Sequence, residues 1–113
     1  MIKQHSEMVS RERQMRGGEG LCRTLEIMLP EQMHHCRLFS TVTINQGCSI
    51  GEHTHLGETE YYWIISGEGI VIESDGEKVV RPGDLVITGN GDSHAIRNEK
   101  CEPLVFLALI LED

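Results

Sequence analysis

The feature that most constrains this chain is a succession of short segments rich in β-branched and apolar residues, each ended by a turn signal. In chain order the segments are LCRTLEIML, CRLFSTVTI, ETEYYWII, GIVIES, KVVRP, DLVITG, HAIRN and PLVFLALIL. Several of the turns between them contain glycine, as in Ser-Asp-Gly-Glu at 74–77, because glycine accepts the positive φ of tight turns. Short strands at this spacing are typical of an antiparallel sandwich or barrel. We therefore predict one all-β domain over residues 21–113.

The first twenty residues differ from the rest. They show only weak periodicity and end in Arg-Gly-Gly-Glu-Gly. We predict an irregular or loosely packed N-terminal arm over residues 1–20, in which 7–15 is the one candidate for a helix.

Charge and composition exclude several classes of partner. The formal net charge is -8, whereas nucleic acids and anionic membranes attract concentrated positive charge. No apolar run is long enough to span a bilayer and no secretory signal is recognisable, which predicts a cytoplasmic location. The four cysteines are scattered without a CxxC pair and are predicted to be reduced thiols, with a role left open only for Cys48, five residues before His53.

Two histidines separated by one residue mark a candidate metal site. In an extended chain His53 and His55 point to the same side, which is how a strand presents two nitrogen ligands to one ion. A carboxylate, Glu58 or Glu60, and a further histidine such as His94 would complete a mixed nitrogen and oxygen site. Such a site suits one divalent transition metal ion (Fe, Mn, Zn, Ni, Co or Cu) and is too rich in nitrogen for magnesium or calcium.

The stretch GCSIGEHTHLGETEYYWIISG resembles the first sequence motif of the cupin superfamily, G-x5-HxH-x(3,4)-E-x6-G. The matching positions are Gly47, His53, His55, Glu60 and Gly67.

A second stretch resembles the other cupin motif, G-x5-P-x-G-x2-H-x3-N. The matching positions are Gly83, Gly91, His94 and Asn98, and Gly89 stands where the family usually has proline. Because glycine leaves the turn freer than proline, we expect the loop before His94 to be less rigid than in cupins with the proline.

The resemblance implies a small single-domain cupin, with a double-stranded β-helix, or jelly-roll barrel. It also implies a metal bound inside the barrel by His53, His55, Glu60 and His94. The motif spacing selects Glu60, and Glu58 stays an alternative ligand or a residue at the rim. Compact cupins often form dimers, so a homodimer is expected, and the N-terminal arm is a candidate for exchange between its subunits.

Other residues are assigned from alternation along the strands. Tyr62 shares the face of Glu60 and is the candidate catalytic or hydrogen-bonding residue, with a plain core tyrosine as the alternative. Ile64 and Ile96 are expected to form apolar pocket wall. The inward face of 37–44 is left open, and with it a role for Arg37 in binding an anion.

The adjacent histidines at 34 and 35 point opposite ways on an extended chain and are expected to be solvated loop residues.

Two functions follow from the resemblance. The first is a metal-dependent enzyme acting on a small polar or carboxylate-bearing metabolite, with dioxygenase, decarboxylase, isomerase and lyase chemistry all open. The second is a module that binds or senses a small molecule through the metal without turnover. Three neutral imidazoles and one carboxylate leave a divalent ion with a net charge of about +1, which favours small anionic or chelating ligands.

Overall fold

A computed structural model describes all 113 residues. Ten β-strands account for the regular structure, together with two 3₁₀ turns at His5–Glu7 and Pro30–Gln32. The strands are β1 Val9–Arg13, β2 Cys22–Met28, β3 Cys36–Ile44, β4 Ser49–Thr54, β5 Glu58–Ser66, β6 Gly69–Glu73, β7 Gly76–Val80, β8 Leu85–Gly89, β9 Ser93–Arg97 and β10 Leu104–Glu112.

The strands form two antiparallel sheets that face each other. The six-stranded sheet has the order β1-β2-β3-β10-β5-β8, and the four-stranded sheet has the order β4-β9-β6-β7. The chain crosses between the sheets as in a jelly roll, so the predicted all-β barrel is confirmed.

The prediction for the N-terminal arm was wrong in one respect. Residues 9–13 are neither irregular nor helical, because β1 pairs with β2 of the same chain, with Val9 opposite Glu26 and Arg13 opposite Cys22. Beyond β1, Met15 forms a bridge to Ile50 of β4. Exchange of the arm within a dimer stays a prediction.

Inward-facing side chains form layers along the strands. At one end lies an apolar core that includes Ile44, Ile64, Ile96, Leu104 and Phe106, each at most 1% exposed. Ile64 and Ile96 therefore belong to this core, whereas we predicted that they would line the pocket.

The inward face of β3 is the even-numbered one. Ser40, Val42 and Ile44 are buried, and Leu38 packs against the core from its edge.

The outer face of the six-stranded sheet is apolar at its β5, β8 and β10 strands. Trp63, Leu85 and Ile87 are each at least half exposed, and Leu111 is 41% exposed. A strand that is apolar on both faces gains stability from cover on both. The homodimer predicted from the sequence would supply that cover, and it stays a prediction. No helix in the structure has the length and apolar character needed to cross a membrane.

Candidate metal centre

A β-bulge in β4 determines which side chains enter the barrel. Ile50 pairs with Ile96, but the register then shifts so that His53, not Glu52, lies opposite His94. Without the extra residue, simple alternation would turn Glu52 inward and His53 outward. The bulge therefore places both histidines of the HxH motif on the inner side.

Four side chains from three regions of the chain meet at this end of the barrel. They are His53 and His55 at the end of β4, Glu60 of β5 and His94 of β9. The Nε2 atoms of His55 and His94 each lie 2.9 Å from Oε1 of Glu60, and that of His53 lies 3.5 Å away. We call this set the His–Glu cluster. One ligand atom from each residue can be chosen so that all lie within 4.8 Å of one another, so the cluster could hold a metal ion.

The other ring nitrogens of the histidines are already committed. Nδ1 of His53 lies 2.7 Å from the carbonyl oxygen of Gly51, and Nδ1 of His55 lies 2.6 Å from Oε2 of Glu58. A carbonyl and a carboxylate only accept hydrogen bonds, so both Nδ1 atoms carry the hydrogen. In the neutral rings the Nε2 lone pairs then point into the cluster.

The converging lone pairs fit a metal ion. Nε2 of His94 lies 3.0 Å from Nε2 of His53 and 3.1 Å from Nε2 of His55. With a hydrogen on Nδ1 of both His53 and His55, contacts this short need either a hydrogen on Nε2 of His94, whose Nδ1 lies 2.8 Å from the Thr88 hydroxyl, or a cation between the nitrogen atoms. Donor atoms that share one first-row ion at bond lengths of about 2.1 Å are separated by similar distances.

Glu58 is placed to orient His55, one of the candidate metal ligands. Its carboxylate accepts from Nδ1 of His55 and, at 2.8 and 2.7 Å, from Nε and Nη2 of Arg37. The hydrogen bonds from Arg37, followed by the one from His55, lower the pKa of Glu58 to about 2. Carboxylates that hold the far nitrogen of a metal-binding histidine fix its tautomer and ring orientation.

Arg37 reaches this position through a second bulge. Ile110 pairs with Leu38 and Leu111 with Cys36, which makes Arg37 the extra residue of β3. A bulge redirects the side chain of its unpaired residue, so Arg37 reaches the cavity although its neighbour Leu38 also faces inward.

Glu60 is a buried carboxylate within the cluster. It is 3% exposed. Burial alone would raise its pKa, but hydrogen bonds from the imidazoles of His53, His55 and His94, which require a hydrogen on Nε2, outweigh burial and hold the pKa well below its ordinary value. Glu60 thus supplies the one negative charge of the cluster.

Tyr62 lies between the cluster and the apolar core. Its ring stacks on His94, with the two ring centroids 4.9 Å apart. It also packs against Phe106, with the ring centroids 4.4 Å apart. Burial, assisted by the negative charge of Glu60, raises the pKa of Tyr62 well above its ordinary value. The phenol therefore stays protonated and lines the same cavity as the cluster.

The loop before His94 is held by the backbone of His55. The His55 amide donates to Asp92 at 3.0 Å, and the Gly91 amide donates to the His55 carbonyl at 2.9 Å. At Gly89 a Cβ atom would lie 2.5 Å from the Thr59 hydroxyl, so the glycine permits close pairing with β5. These contacts tie the loop to β4 and β5 without the family's usual proline.

The remaining histidines and cysteines lie elsewhere. His34 and His35 are exposed, as predicted. All four cysteines are free thiols, as predicted, and Cys48 is not part of the cluster.

A cavity of about 320 Å³ opens beside the cluster. Its walls include His53, His55, Glu60 and Tyr62, together with three arginines. Arg37 was a candidate from the sequence. Arg13 and Arg16 were not, because the folding of the arm onto β2 and β4 has no local sequence signal.

Comparison with known proteins agrees with this geometry. Residues 40–110 match the model of the Cupin_2 family, described as a cupin domain. The chain belongs to the cupin family. The four residues of the His–Glu cluster thus lie within a match that covers more than half of the length of this cupin.

Similar proteins include one with a named ligand. An oxalate-binding protein from Thermotoga maritima is 36% identical over 98% of this chain and 93% of the relative. The crystal structure of a predicted oxalate decarboxylase from Thermotoga maritima aligns with a TM-score of 0.93 at 35% identity, covering 100% of both chains. A polyketide cyclase from Streptomyces resistomycificus has a TM-score of 0.79 at 12% identity, over 99% of this chain and 80% of the cyclase, and thus shares the fold.

Proposed function

We propose that this cupin holds one divalent transition metal ion (Fe, Mn, Zn, Ni, Co or Cu) through His53, His55, Glu60 and His94. The observation that carries the proposal is the commitment of the Nδ1 atoms of His53 and His55 to acceptors, which directs lone pairs into the cluster. Nitrogen-rich ligand sets of this kind favour transition metals over magnesium and calcium.

We further propose that the bound ion takes a small chelating carboxylate of the oxalate class. Two observations support this ligand. The relative from Thermotoga maritima is called an oxalate-binding protein, and the cavity beside the cluster is lined by Arg13, Arg16 and Arg37. Positive walls in a protein of net charge -8 favour an anionic ligand over a neutral one.

The residues around the ion would divide the work of binding. A bound metal ion supplies Lewis acidity and a chelation site for carboxylate oxygens. The pair Arg37 and Glu58 would orient His55, and the ring of Tyr62 would fix His94 by stacking on it. The Tyr62 hydroxyl, kept protonated by its surroundings, can donate a hydrogen bond to an anionic ligand.

Turnover of the bound ligand is the second candidate. It is favoured by Tyr62, the one protonated phenol on the cavity wall, and by the similar structure of a predicted oxalate decarboxylase. In this version Tyr62 is the catalytic proton donor. Glu60 is the sole carboxylate of the cavity wall, but it belongs to the His–Glu cluster and is therefore not the proton donor in this version.

Titration calorimetry separates these alternatives. Oxalate is added to protein loaded with Mn²⁺ or Co²⁺ and to protein stripped of metal, with acetate as the control that does not chelate. We expect binding of oxalate to the loaded protein alone. Formate released on prolonged incubation would establish turnover, and its absence would leave binding as the function. Equal oxalate binding with and without metal would contradict both versions.

A further inference from the structure

The cavity carries cations that no carboxylate of the protein neutralises. Every lysine and arginine except Lys3, Arg13 and Arg16 lies within ion-pair distance of a carboxylate. Two of these three exceptions line the cavity beside the His–Glu cluster. In a chain with eighteen acidic residues, unpaired arginines at one cavity indicate a ligand that supplies the missing negative charge.

The backbone that carries Arg16 is held in place over the cavity. Arg16 has a φ of 54°, the left-handed region that residues other than glycine seldom adopt. The Met15 carbonyl accepts hydrogen bonds from the amides of Gly18 and Gly51 at 2.9 and 3.1 Å. A Cβ atom on Gly51 would lie 2.0 Å from the Arg16 carbonyl oxygen, so the turn packs directly onto β4. A fixed backbone presents the guanidinium with less loss of freedom on binding.

The cavity is also larger than oxalate requires. Its volume of about 320 Å³ is within the range typical of small-molecule sites, about 300–1,000 Å³, whereas oxalate has six non-hydrogen atoms. One wall residue, Thr24, is 2% exposed, and its hydroxyl has no hydrogen-bond partner in the protein. Buried polar groups in this position are commonly satisfied by a ligand or water.

We propose that the ligand is a chelating acid with a second anionic group beyond its chelating end, and that Arg13 and Arg16 bind this remote group. This inference rests on the proposed metal-dependent binding of a chelating carboxylate. The class it names is the 2-hydroxy dicarboxylates, which can chelate through one carboxylate and the hydroxyl and leave the other carboxylate free. Arg13 and Arg16 then determine specificity and are not ligands of the metal.

The test compares pairs of ligands that differ only in the remote carboxylate. Calorimetry on the full chain loaded with Co²⁺ measures the affinity for lactate against malate, and for 2-hydroxybutyrate against 2-hydroxyglutarate, with oxalate as the reference. We expect at least one dicarboxylate to bind about 10-fold or more tightly than its partner, the gain typical of a hydrogen bond to a charged group. The pair with the larger gain indicates which ligand length better matches the distance between the metal and the arginines.

Two variants locate the effect. In the Arg13→Gln, Arg16→Asn double variant the gain should fall to less than about 2-fold. Because the gain is a ratio of two affinities, any loss of affinity that both members of a pair share cancels. Asparagine is chosen at position 16 because it tolerates positive φ. Arg23→Gln is the matched control, since it removes one positive charge from an exposed pair with Glu12 outside the cavity, and it should retain the full gain.

The possible failures can be told apart. If oxalate binds but neither dicarboxylate exceeds its partner, or if the gain survives the double variant, this inference is wrong and the proposed function stands. If no ligand binds to the metal-loaded protein, oxalate included, both are overturned.

Discussion

The two ends of the barrel interior are built by the same strands and buried to the same depth, but they differ in chemistry. At the core end Ile64 and Ile96 are 1% and 0% exposed, and further along the same strands Glu60 and His94 are 3% and 1% exposed. Burial stabilises the apolar side chains by removing them from water, whereas it destabilises polar ones that lack partners. At equal burial, the core end is therefore stable without any bound partner. The stability of the site end depends on hydrogen bonds and, in our proposal, on a bound metal ion.

The core end should show the largest effect on stability. Phe106→Ala removes a ring that is fully buried and contacts Tyr62, and we expect the free energy of unfolding to fall by about 3–5 kcal/mol. Urea denaturation of metal-free protein measures the change. Phe39→Ala is the control, because Phe39 lies on the outer face and is only partly buried. Equal losses for the two variants would show that the core does not lie where we describe it.

The site end should gain stability only when metal is present. At a free Mn²⁺ or Co²⁺ concentration 100 times the dissociation constant, binding to the folded state alone adds about 2.7 kcal/mol to the free energy of unfolding. Thermal denaturation with and without the ion tests this. Mg²⁺, which prefers oxygen ligands, should produce a much smaller shift. A similar shift with Mg²⁺ would point to general binding of cations by this acidic protein.

Glu58 should affect the metal less than a direct ligand does. Glu58→Gln leaves the four cluster residues intact but weakens the support of His55, so we expect metal affinity to fall about 10- to 100-fold. Competition with a chromophoric chelator measures this affinity. Arg37→Gln should cost less, since Glu58 can still accept from His55.

Glu52 offers a control for Glu58 in the same stretch of sequence. It is exposed and adjoins His53, yet the β4 bulge turns it away from the cluster. Glu52→Gln should leave metal affinity unchanged. If Glu58→Gln behaves like Glu52→Gln, the orienting role of Glu58 is refuted.

Tyr62 should have the smallest effect. Tyr62→Phe keeps the ring that stacks on His94 and removes only the hydroxyl. We expect metal affinity to change little and oxalate affinity to fall by about 0.5–1.5 kcal/mol, the range for one hydrogen bond. Calorimetry with oxalate measures the difference. Unchanged oxalate affinity would remove Tyr62 from the binding site and leave it as a core residue.

The sequence predicted the elements better than the faces of the strands. The boundaries of β3 at 36–44 coincide with the predicted segment, because β-branched residues and turn signals define it locally. Alternation along the strand did not predict that Arg37 reaches the cavity. It does so because β3 has one extra residue, a bulge, where it pairs with β10. Pairing partners distant in the chain are not encoded in any local pattern.

The same reasoning explains which site residues were found. His53, His55, Glu60 and His94 stand at spacings that a motif can detect, and the structure brings them together. Arg13 and Arg16 reach the cavity only because β1 pairs with β2 and the following turn packs on β4. Motif spacing distinguished Glu58 from Glu60, but the contact of Glu58 with His55 is seen only in the structure.

The most direct test of the metal centre is the number of ions per chain. Protein purified without chelators and then dialysed against Mn²⁺, Co²⁺ or Zn²⁺ is analysed by elemental mass spectrometry, beside His94→Ala treated in the same way. We predict one ion per chain in the unaltered protein with at least one of these metals, and a folded His94→Ala variant that retains almost none. An unaltered protein without metal, or a variant that binds as much as the parent, would contradict the assignment of the His–Glu cluster.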